Sequence, residues 1–493
     1  MTDGQQRVEV LVIGAGFSGV CAGIRLDEAG VRDWLIVEKA DGIGGTWWHN
    51  RYPGAACDIP SHLYSFSFEP NPDWTRLYSA QPEIRRYIER CVDTYGLRDR
   101  MRFARKLVAL DWRADDGRWT ARFDDGDTMD ARFVINGSGG LHEPSWPRIE
   151  GMDSFAGKAM HTALWDESFD LSGAKVAVIG SAASAVQAVP ELAKVAGRVT
   201  VFQRTPNYIA PRGDHAYDTS RQARYRRHPW LMQLHRWLIF MRLELTLFPI
   251  IRRPVIRSWL ARAIKRHIAR SIDDPVRERA LTPDYEMGCK RILISDDFYE
   301  TLRRDDVDLV TAPISHIQPE GVVTDDHTLH AADVLVYATG FDLGAHMRSI
   351  AITGEEGRRL SQDWADLAEA YQGVMIAGYP NYFMTTGPNT GVGTTSVVFM
   401  IEQTVGWIVK AIRATGDRHT LVVREAAQRA YNDRIQAELQ KTVWASGCQS
   451  WYRRADGRIE TLYPYNARAF RRQMSRLKRD DLIFRGMAGS RAT

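Results

Sequence analysis

A glycine-rich turn between two buried elements constrains this chain more than any other feature of its sequence. Residues 8–13 (VEVLVI) form a short apolar run that is typical of a buried parallel strand. They lead directly into residues 14–19 (GAGFSG), and an apolar helical stretch follows. A second buried strand at 34–37 ends at Glu38. This order of elements predicts a βαβ unit that binds a dinucleotide.

Each glycine in this turn has a separate task. Gly14 permits the tight turn, Gly16 lets the backbone approach a pyrophosphate, and Gly19 allows the helix to pack closely on the strand. The pyrophosphate would lie at the helix N-terminus, where free N–H groups and the helix dipole attract anions. Glu38 would accept hydrogen bonds from ribose hydroxyls. The predicted nucleotide contacts of this unit are Gly14, Gly16, Phe17, Gly19, Glu38 and Lys39.

A second unit of similar design begins with the apolar strand at residues 175–179 (KVAVI). It leads into residues 180–185 (GSAASA), where Ala182 replaces the second glycine and predicts looser contact with the phosphates. The next strand, 198–202, ends in Gln203-Arg204-Thr205 rather than in an acid. An acid would repel a 2′-phosphate, whereas an arginine binds one in a bidentate manner. The unit is predicted to bind NADPH through Gly180, Ser181, Ala182, Ser184, Arg204 and Thr205.

The two units indicate the fold class and the order of the domains. We predict an α/β protein with two Rossmann-like dinucleotide-binding domains, one for FAD and one for NADP, and a helical insertion. Residues 1–148 are the first part of the FAD-binding domain. Residues 149–340 are the NADP-binding domain, which contains the insertion at about 214–282. Residues 341–493 return to the FAD-binding domain and supply a C-terminal segment.

The predicted insertion contains an apolar stripe of helical spacing. Apolar residues recur at intervals of three and four, at Leu231, Leu234, Leu238, Met241, Leu245 and Phe248. Pro249 is expected to end this helix and Pro254 to begin the next, which carries many Arg and Lys residues. The spacing favours a helical pair that packs on the body of the protein. The alternative is a basic amphipathic patch that contacts a membrane surface.

Composition excludes several other classes of protein. Lys and Arg number 65 against 61 Asp and Glu, a balance that gives no reason to expect a nucleic-acid partner. The five cysteines form no Cys-x-x-Cys pair and the 13 histidines no metal-ligand spacing, so neither a metal site nor a dithiol redox centre is predicted. No apolar run reaches the roughly 20 residues that span a bilayer. The lack of a signal-peptide pattern before the first strand predicts a cytoplasmic protein.

Two longer signatures are shared with one known family. The first consists of residues 44–47 (GGTW), residues 52–54 (YPG) and Asp58. The second, between the two nucleotide motifs, is residues 155–166 (FAGKAMHTALWD). Together they resemble the fingerprints of Baeyer–Villiger monooxygenases, and the resemblance covers nearly the whole chain.

The resemblance implies a flavin monooxygenase that consumes NADPH and O₂. NADPH would reduce FAD, and a flavin C4a-peroxide would convert a ketone into an ester or a lactone, with sulfoxidation as a further activity. Arg291 is then expected to face the flavin and stabilise negative charge, while Asp58 orients it. His161 is expected to couple the domains rather than to act as an acid or base. The further cofactor contacts that the resemblance implies are Gly45, Thr46, Trp47, Asp58, Tyr64, Lys290, Asn389 and Trp451.

Three other functions stay open on the sequence alone. A related flavin monooxygenase would oxidise nitrogen or sulfur, and an NADPH oxidase would only release hydrogen peroxide. A redox-sensing protein would bind nucleotides without steady turnover. An ester or a lactone formed from a ketone separates the predicted function from all three.

Overall fold

The computed structural model describes residues 6–344, 348–391, 393–417, 419–447, 453–454 and 456–486. Its largest sheet has eight strands, which come from the first and last parts of the chain. They are β1 (Gln6–Ile13), β2 (Trp34–Val37), β3 (Met101–Arg102), β4 (Leu107–Arg113), β5 (Arg118–Phe123), β6 (Thr128–Asn136), β17 (Ala351–Thr353) and β18 (Tyr382–Met384).

The middle of this first sheet is parallel. β1 pairs with β2 and with β6, and β6 pairs with β18, all in the parallel sense. All four residues of β2 and the last four of β1 are buried, which explains why these two runs are continuously apolar. Helix α1 (Phe17–Glu28) follows β1 and packs against α11 (Val397–Thr415). The predicted βαβ unit is therefore formed.

A second, five-stranded sheet comes from the middle of the chain. Its strands are β7 (Lys158–His161), β8 (Lys175–Ile179), β9 (Arg198–Phe202), β12 (Val307–Val310) and β16 (Val334–Tyr337). They lie in the order β12-β9-β8-β16-β7, and every neighbouring pair is parallel. Helix α4 (Ala183–Leu192) follows β8 after a short turn, in the same way as α1 follows β1. The first sheet is mixed, because β5 pairs antiparallel with β4 and β6, whereas the second sheet is wholly parallel. Parallel strands joined through helices in both sheets confirm the predicted α/β fold class.

The remaining elements extend these two sheets or cover them. The other strands are β10 (Ile209–Ala210), β11 (Leu293–Ile294), β13 (Ile314–Gln318), β14 (Gly321–Thr324), β15 (Leu329–Ala331), β19 (His419–Val423) and β20 (Leu482–Gly486). The other helices in the described ranges are α2 (Thr46–His49), α3 (Gln81–Thr94), α5 (Thr219–Arg227), α6 (Pro229–Arg252), α7 (Pro254–Ser271), α8 (Pro275–Leu281), α9 (Phe298–Thr301), α10 (Leu360–Asp363), α12 (Glu425–Leu439) and α13 (Ala467–Met474). Not one helix in those ranges combines the length and the apolar character that crossing a membrane requires.

The chain crosses between the two sheets twice, after β6 and after β16, and the two crossings run side by side. The Ser145 N–H of the first crossing donates a hydrogen bond to the Gly340 carbonyl of the second at 2.9 Å. His161, at the end of β7, is buried with its ring against Trp146 and Phe341, one from each crossing. Burial lowers its pKa to about 4. His161 is therefore a neutral, packed side chain at the junction, as the resemblance implies.

The segment from α5 to α8 is helical, but its first long helix differs from the prediction in two ways. α6 continues past Pro249, so the prediction that this proline ends the helix is wrong. A proline there removes the hydrogen bond to the Leu245 carbonyl, and Leu245 lies on the exposed side of the helix. Half of the predicted apolar stripe also faces solvent instead of the body, because Leu234, Leu238 and Leu245 are exposed, whereas Phe248 packs against the core. The opposite face of α6 makes the packing contacts.

Candidate functional site

The two glycine-rich segments near the N-terminus face each other. Gly16 immediately precedes α1, and Gly45 immediately precedes α2, which begins with Thr46. A β-carbon on Gly16 would lie 3.3 Å from the Cα of Gly45, and one on Gly45 would lie 2.9 Å from the Cα of Gly16. A side chain at either position would push the two backbones apart. The first motif and the Gly-Gly-x-Trp signature therefore form one cradle at the N-terminus of α1.

Glu38 follows β2 directly, as predicted, and is buried. Its carboxylate accepts hydrogen bonds from the Ala15 N–H at 2.7 Å and from the Ala40 N–H at 2.9 Å. Burial raises the pKa of Glu38, and these two N–H groups oppose the rise. A carboxylate has about four acceptor positions, so acceptor capacity remains for ribose hydroxyls. Lys39 is ion-paired with Glu143 in the first crossing.

Phe17, Trp47 and Tyr64 meet beside this cradle. The Trp47 indole N–H donates a hydrogen bond to the Tyr64 hydroxyl at 3.1 Å, and the two rings stand at 83° to each other. The ring of Phe17 meets the ring of Tyr64 edge to face, with centroids 5.3 Å apart. Burial raises the pKa of Tyr64, so its hydroxyl stays neutral. Three predicted cofactor contacts thus form one aromatic cluster.

Arg291 and Asp58 form an ion pair although 233 positions separate them in sequence. Nη2 of Arg291 lies 2.5 Å from Oδ2 of Asp58. Asp58 belongs to the loop between α2 and α3, whereas Arg291 lies between α8 and β11, in the part of the chain that forms the second sheet. Both side chains are partly exposed, so the pair adds little to stability. The pair matters for function because it joins a loop of the first nucleotide unit to a segment of the second.

The Tyr-Pro-Gly signature is a contact between the two nucleotide units. The Tyr52 hydroxyl donates to Oε1 of Gln187 at 2.8 Å, and Nε2 of Gln187 donates to the Ala56 carbonyl at 3.0 Å. Gln187 belongs to α4, the helix after the second glycine-rich turn. Gly54 has a φ of 81°, and a β-carbon there would lie 2.3 Å from the Gln187 carbonyl oxygen. Sequence reasoning missed Gln187, because a lone glutamine in a helix carries no signal of its partner.

We expect Gln187→Leu to loosen this contact between the two units. The change removes the Gln187 partner of the buried Tyr52 hydroxyl, while its hydrogen bond with Ser184 remains, so we expect a cost near the lower end of about 1–3 kcal/mol. The measurement is the midpoint of chemical denaturation of the purified protein. Tyr52→Phe combined with Gln187→Leu should cost less than the sum of the single changes, because both remove the same hydrogen bond. Strictly additive losses would contradict the assigned contact.

The second glycine-rich turn has the predicted strand–turn–helix geometry. Gly180 follows β8, Ala182 precedes α4, and Ser184 lies in the first turn of that helix. Ala182 has a φ of −88°, so its methyl group causes no backbone strain. The Ser181 hydroxyl donates to the Thr205 carbonyl at 3.3 Å and thereby joins this turn to the segment after β9.

Arg204 and Lys290 lie close enough for their charges to interact. Arg204 is exposed in the turn after β9, and Lys290 is partly buried with Nζ 4.7 Å from the centre of the Tyr285 ring. Burial lowers the pKa of Lys290, and repulsion from Arg204 lowers it further, while Asp284 acts in the opposite direction. Two cations from distant segments therefore lie within electrostatic range of each other. Such a pair suits an anion with several negative charges, such as a phosphate monoester.

The last two predicted cofactor contacts, Asn389 and Trp451, come from the C-terminal part of the chain. Asn389 is buried, and its side-chain amide donates to the carbonyls of Ile459 and Leu462 at 2.8 and 3.0 Å. The amide thus holds the segment after α12, and its contact with a cofactor stays a prediction. Trp451 lies outside the described residues. Cys289, next to Lys290, is disulfide-bonded, which the scattered cysteine spacing did not predict.

Comparison with known proteins shows the family of the chain. A family model described as pyridine nucleotide-disulphide oxidoreductase matches residues 11–226. A Baeyer–Villiger monooxygenase of Streptomyces coelicolor is 40% identical over 476 residues, which cover 96% of this chain and 92% of the relative. A Baeyer–Villiger monooxygenase of Pseudomonas aeruginosa is 39% identical over 472 residues, which cover 94% of this chain and 90% of that relative.

Solved structures give the same result at the level of the backbone. An oxidized steroid monooxygenase bound to NADP has a TM-score of 0.89 and 29% identity, over 98% of this chain and 100% of that one. A closed structure of cyclohexanone monooxygenase has the same TM-score, identity and coverage. Identity near 40% to the curated relatives over almost the whole chain, together with this fold, shows that the protein belongs to the Baeyer–Villiger monooxygenase family of flavin monooxygenases.

Proposed function

We propose that this protein uses FAD, NADPH and O₂ to convert a ketone into an ester or a lactone. The observation that carries the proposal is the ion pair of Arg291 with Asp58. It joins a permanent cation from the chain segment of the second unit to Asp58, in the loop between α2 and α3 of the first unit. The neighbouring Lys290 interacts with Arg204 of the second unit. Arg291 belongs to the predicted reaction site and its neighbour Lys290 to the predicted coenzyme site, so the two sites adjoin in sequence.

The cradle at α1 fits the diphosphate of FAD. Among the described residues, no side chain caps the N-terminus of α1, and its first turn contains no acid. The first N–H groups of the helix therefore remain for an anionic ligand. The close approach of Gly16 and Gly45 leaves only backbone on this side of the cradle. Glu38 would hold the ribose, and the cluster of Phe17, Trp47 and Tyr64 would line the cofactor.

The turn at α4 fits the diphosphate of NADPH for the same reasons. Its N-terminus also lacks a side-chain cap and an acidic residue in the described structure. Arg204 and Lys290 would share the 2′-phosphate, which NADH lacks. Binding a dianion between them relieves the repulsion that lowers the pKa of Lys290. Gly180, Ser181, Ala182, Ser184 and Thr205 would line the turn around the coenzyme.

The chain's own residues have distinct roles in the proposed reaction. When bound, the two cofactors supply hydride transfer and oxygen activation. Arg291 keeps its charge at any working pH, so it can stabilise the negative charge that develops on the carbonyl oxygen of the ketone. Asp58 holds the guanidinium in place through a charge-assisted hydrogen bond. Asp58 is thus a positioning residue for Arg291.

A substrate panel tests the proposed function. Linear, cyclic, aromatic and steroid ketones, together with a thioether, would be incubated with the FAD-loaded protein, NADPH and O₂. Mass spectrometry of the products should show an ester or a lactone from at least one ketone, and a sulfoxide from the thioether would establish the further activity. NADPH consumption that yields only hydrogen peroxide with every ketone would instead identify an NADPH oxidase.

Arg204→Ala should raise the KM for NADPH by about 10- to 150-fold and change the KM for NADH little. One charge-assisted contact with the 2′-phosphate is worth about 1.5–3 kcal/mol, and only NADPH carries that group. Lys290 shares the contact, so the single change should fall near the lower end of this range. Initial rates with both coenzymes provide the test. An equal effect on both coenzymes would show that Arg204 does not bind the phosphate.

A further inference from the structure

The solvent-facing side of α6 is apolar over most of its length. Trp230, Leu234, Trp237, Leu238 and Leu245 are exposed, with 62% of Trp230 and 68% of Leu245 accessible to solvent. Their spacings of three and four residues place them on one face. At a rise of about 1.5 Å per residue, this face is about 22 Å long.

The next helix continues the pattern. Val255 and Trp259 are one turn apart at the start of α7, and 81% and 63% of these residues are exposed. Arg262 and Arg266 follow on the same face and are also exposed. We call the exposed apolar residues of α6 and α7, with the arginines beside them, the helical face.

Buried polar contacts fix the orientation of α6. Arg236 points inward and donates to the carbonyls of His62 and Ser65 at 2.6 and 3.0 Å. Glu244 is also buried and accepts a hydrogen bond from the Ala467 N–H at 3.0 Å. Rotating α6 to hide its apolar stripe would expose these groups and break their hydrogen bonds. The protein therefore holds the apolar stripe outward.

The helical face is strongly basic. Between residues 229 and 271 the sequence contains nine Arg and Lys residues and one acid, but Arg236, Arg257 and the acid Glu244 are buried and do not belong to the helical face. Arg242, Arg253, Arg262 and Arg266 are exposed, and none of them has an ion pair within the described ranges. This local excess contrasts with a net charge of +4 for the whole chain.

We propose that the helical face docks on the surface of an anionic lipid bilayer. Exposed Trp and Leu side chains insert into the boundary between headgroups and acyl chains, and the arginines beside them bind anionic headgroups. Pairing with a second copy of the chain would bring two unneutralised basic faces together, which like-charge repulsion opposes. The charge on the helical face thus selects an anionic surface rather than another copy. This binding is separate from catalysis and does not rest on the proposed ketone oxidation.

Vesicle binding of the FAD-loaded protein tests this proposal. The protein should sediment with phosphatidylcholine vesicles that contain phosphatidylglycerol, and much less with phosphatidylcholine alone. Added salt should weaken the binding, because ions screen the headgroup charge. The double variant Trp237→Ser/Leu238→Ser should bind about tenfold more weakly or worse. The double variant Arg262→Glu/Arg266→Glu should lose at least about tenfold.

Matched control variants show whether a loss of vesicle binding is specific to the helical face or follows from any similar change on the protein surface. Arg86→Glu/Lys106→Glu makes the same charge change on exposed residues elsewhere, and Leu164→Ser/Val195→Ser removes two other exposed apolar side chains. Both controls should bind vesicles like the parent, and all variants should retain FAD. No sedimentation with anionic vesicles, or equal losses in variants and controls, would overturn the proposal. A parent dimer that dissociates in the α6 variants without any vesicle binding would assign the face to a second copy instead.

Discussion

Arg291→Ala is expected to lower the rate of ester or lactone formation about 10²–10³-fold, while the protein still binds FAD. Losing one preorganised charged donor at a developing oxyanion typically costs this much. Reduction by NADPH should persist at least in part, because the proposed contacts of Arg204 with the coenzyme are unchanged. The electrons should then appear as hydrogen peroxide. The measurement combines NADPH and O₂ consumption, peroxide release and product analysis with an accepted ketone.

Two further variants show whether the effect belongs to this guanidinium. Asp58→Ala should be impaired in the same direction but less completely, because Asp58 acts through Arg291. Arg304→Ala removes another partly exposed arginine from a comparable pair, with Asp306 at 2.6 Å, and should leave ester formation unchanged. Ester formation at near the parent rate in Arg291→Ala would show that the oxyanion is stabilised elsewhere.

The parts of the fold that the sequence predicted are those built from neighbouring residues. The strand, turn and helix from Gln6 to Glu28 are contiguous, and their apolar runs and glycines carry the whole signal. The same holds for β8 and α4. The α/β fold class and the family are therefore confirmed, whereas the exact domain boundaries stay predictions. The return of residues 341–493 to the first domain is also a prediction of the sequence, but the pairings of β17 with β4 and of β18 with β6 span more than 200 residues, and no local pattern encodes them.

Fewer features of the candidate site than of the fold could be predicted from the sequence. The resemblance named Asp58 and Arg291 together, and the structure places them 2.5 Å apart, but spacing alone carries no such signal. Gln187 was missed because its role exists only in its contact with Tyr52. Asn389 was assigned to the cofactor by motif, yet its amide binds backbone carbonyls. Side-chain roles that depend on distant partners require the three-dimensional structure.

Helix α6 shows how a correct pattern can be misinterpreted. The apolar stripe has the spacing of a packed helix face, and such a face is ordinarily buried. Here the buried face contains Arg236 and Glu244, which find hydrogen-bond partners in the loop at 62–65 and at Ala467. Those partners are remote in sequence, so the spacing alone favours burial of the apolar stripe. The direction of an amphipathic helix follows from what its polar side can bind.

Gly16→Leu is expected to weaken FAD binding about 5- to 150-fold, and the purified protein should lose most of its yellow colour. A β-carbon alone would lie 3.3 Å from the Cα of Gly45, and a leucine side chain extends much further. Opening the cradle by overpacking costs about 1–3 kcal/mol and displaces the N–H groups at the start of α1. The ratio of flavin to protein absorbance after purification, and titration of the stripped protein with FAD, measure the effect. Gly406→Leu is the matched control, because a β-carbon at Gly406 in α11 meets no atom within 4 Å. That variant should retain FAD, and full retention in Gly16→Leu as well would contradict the assignment of this cradle to the flavin.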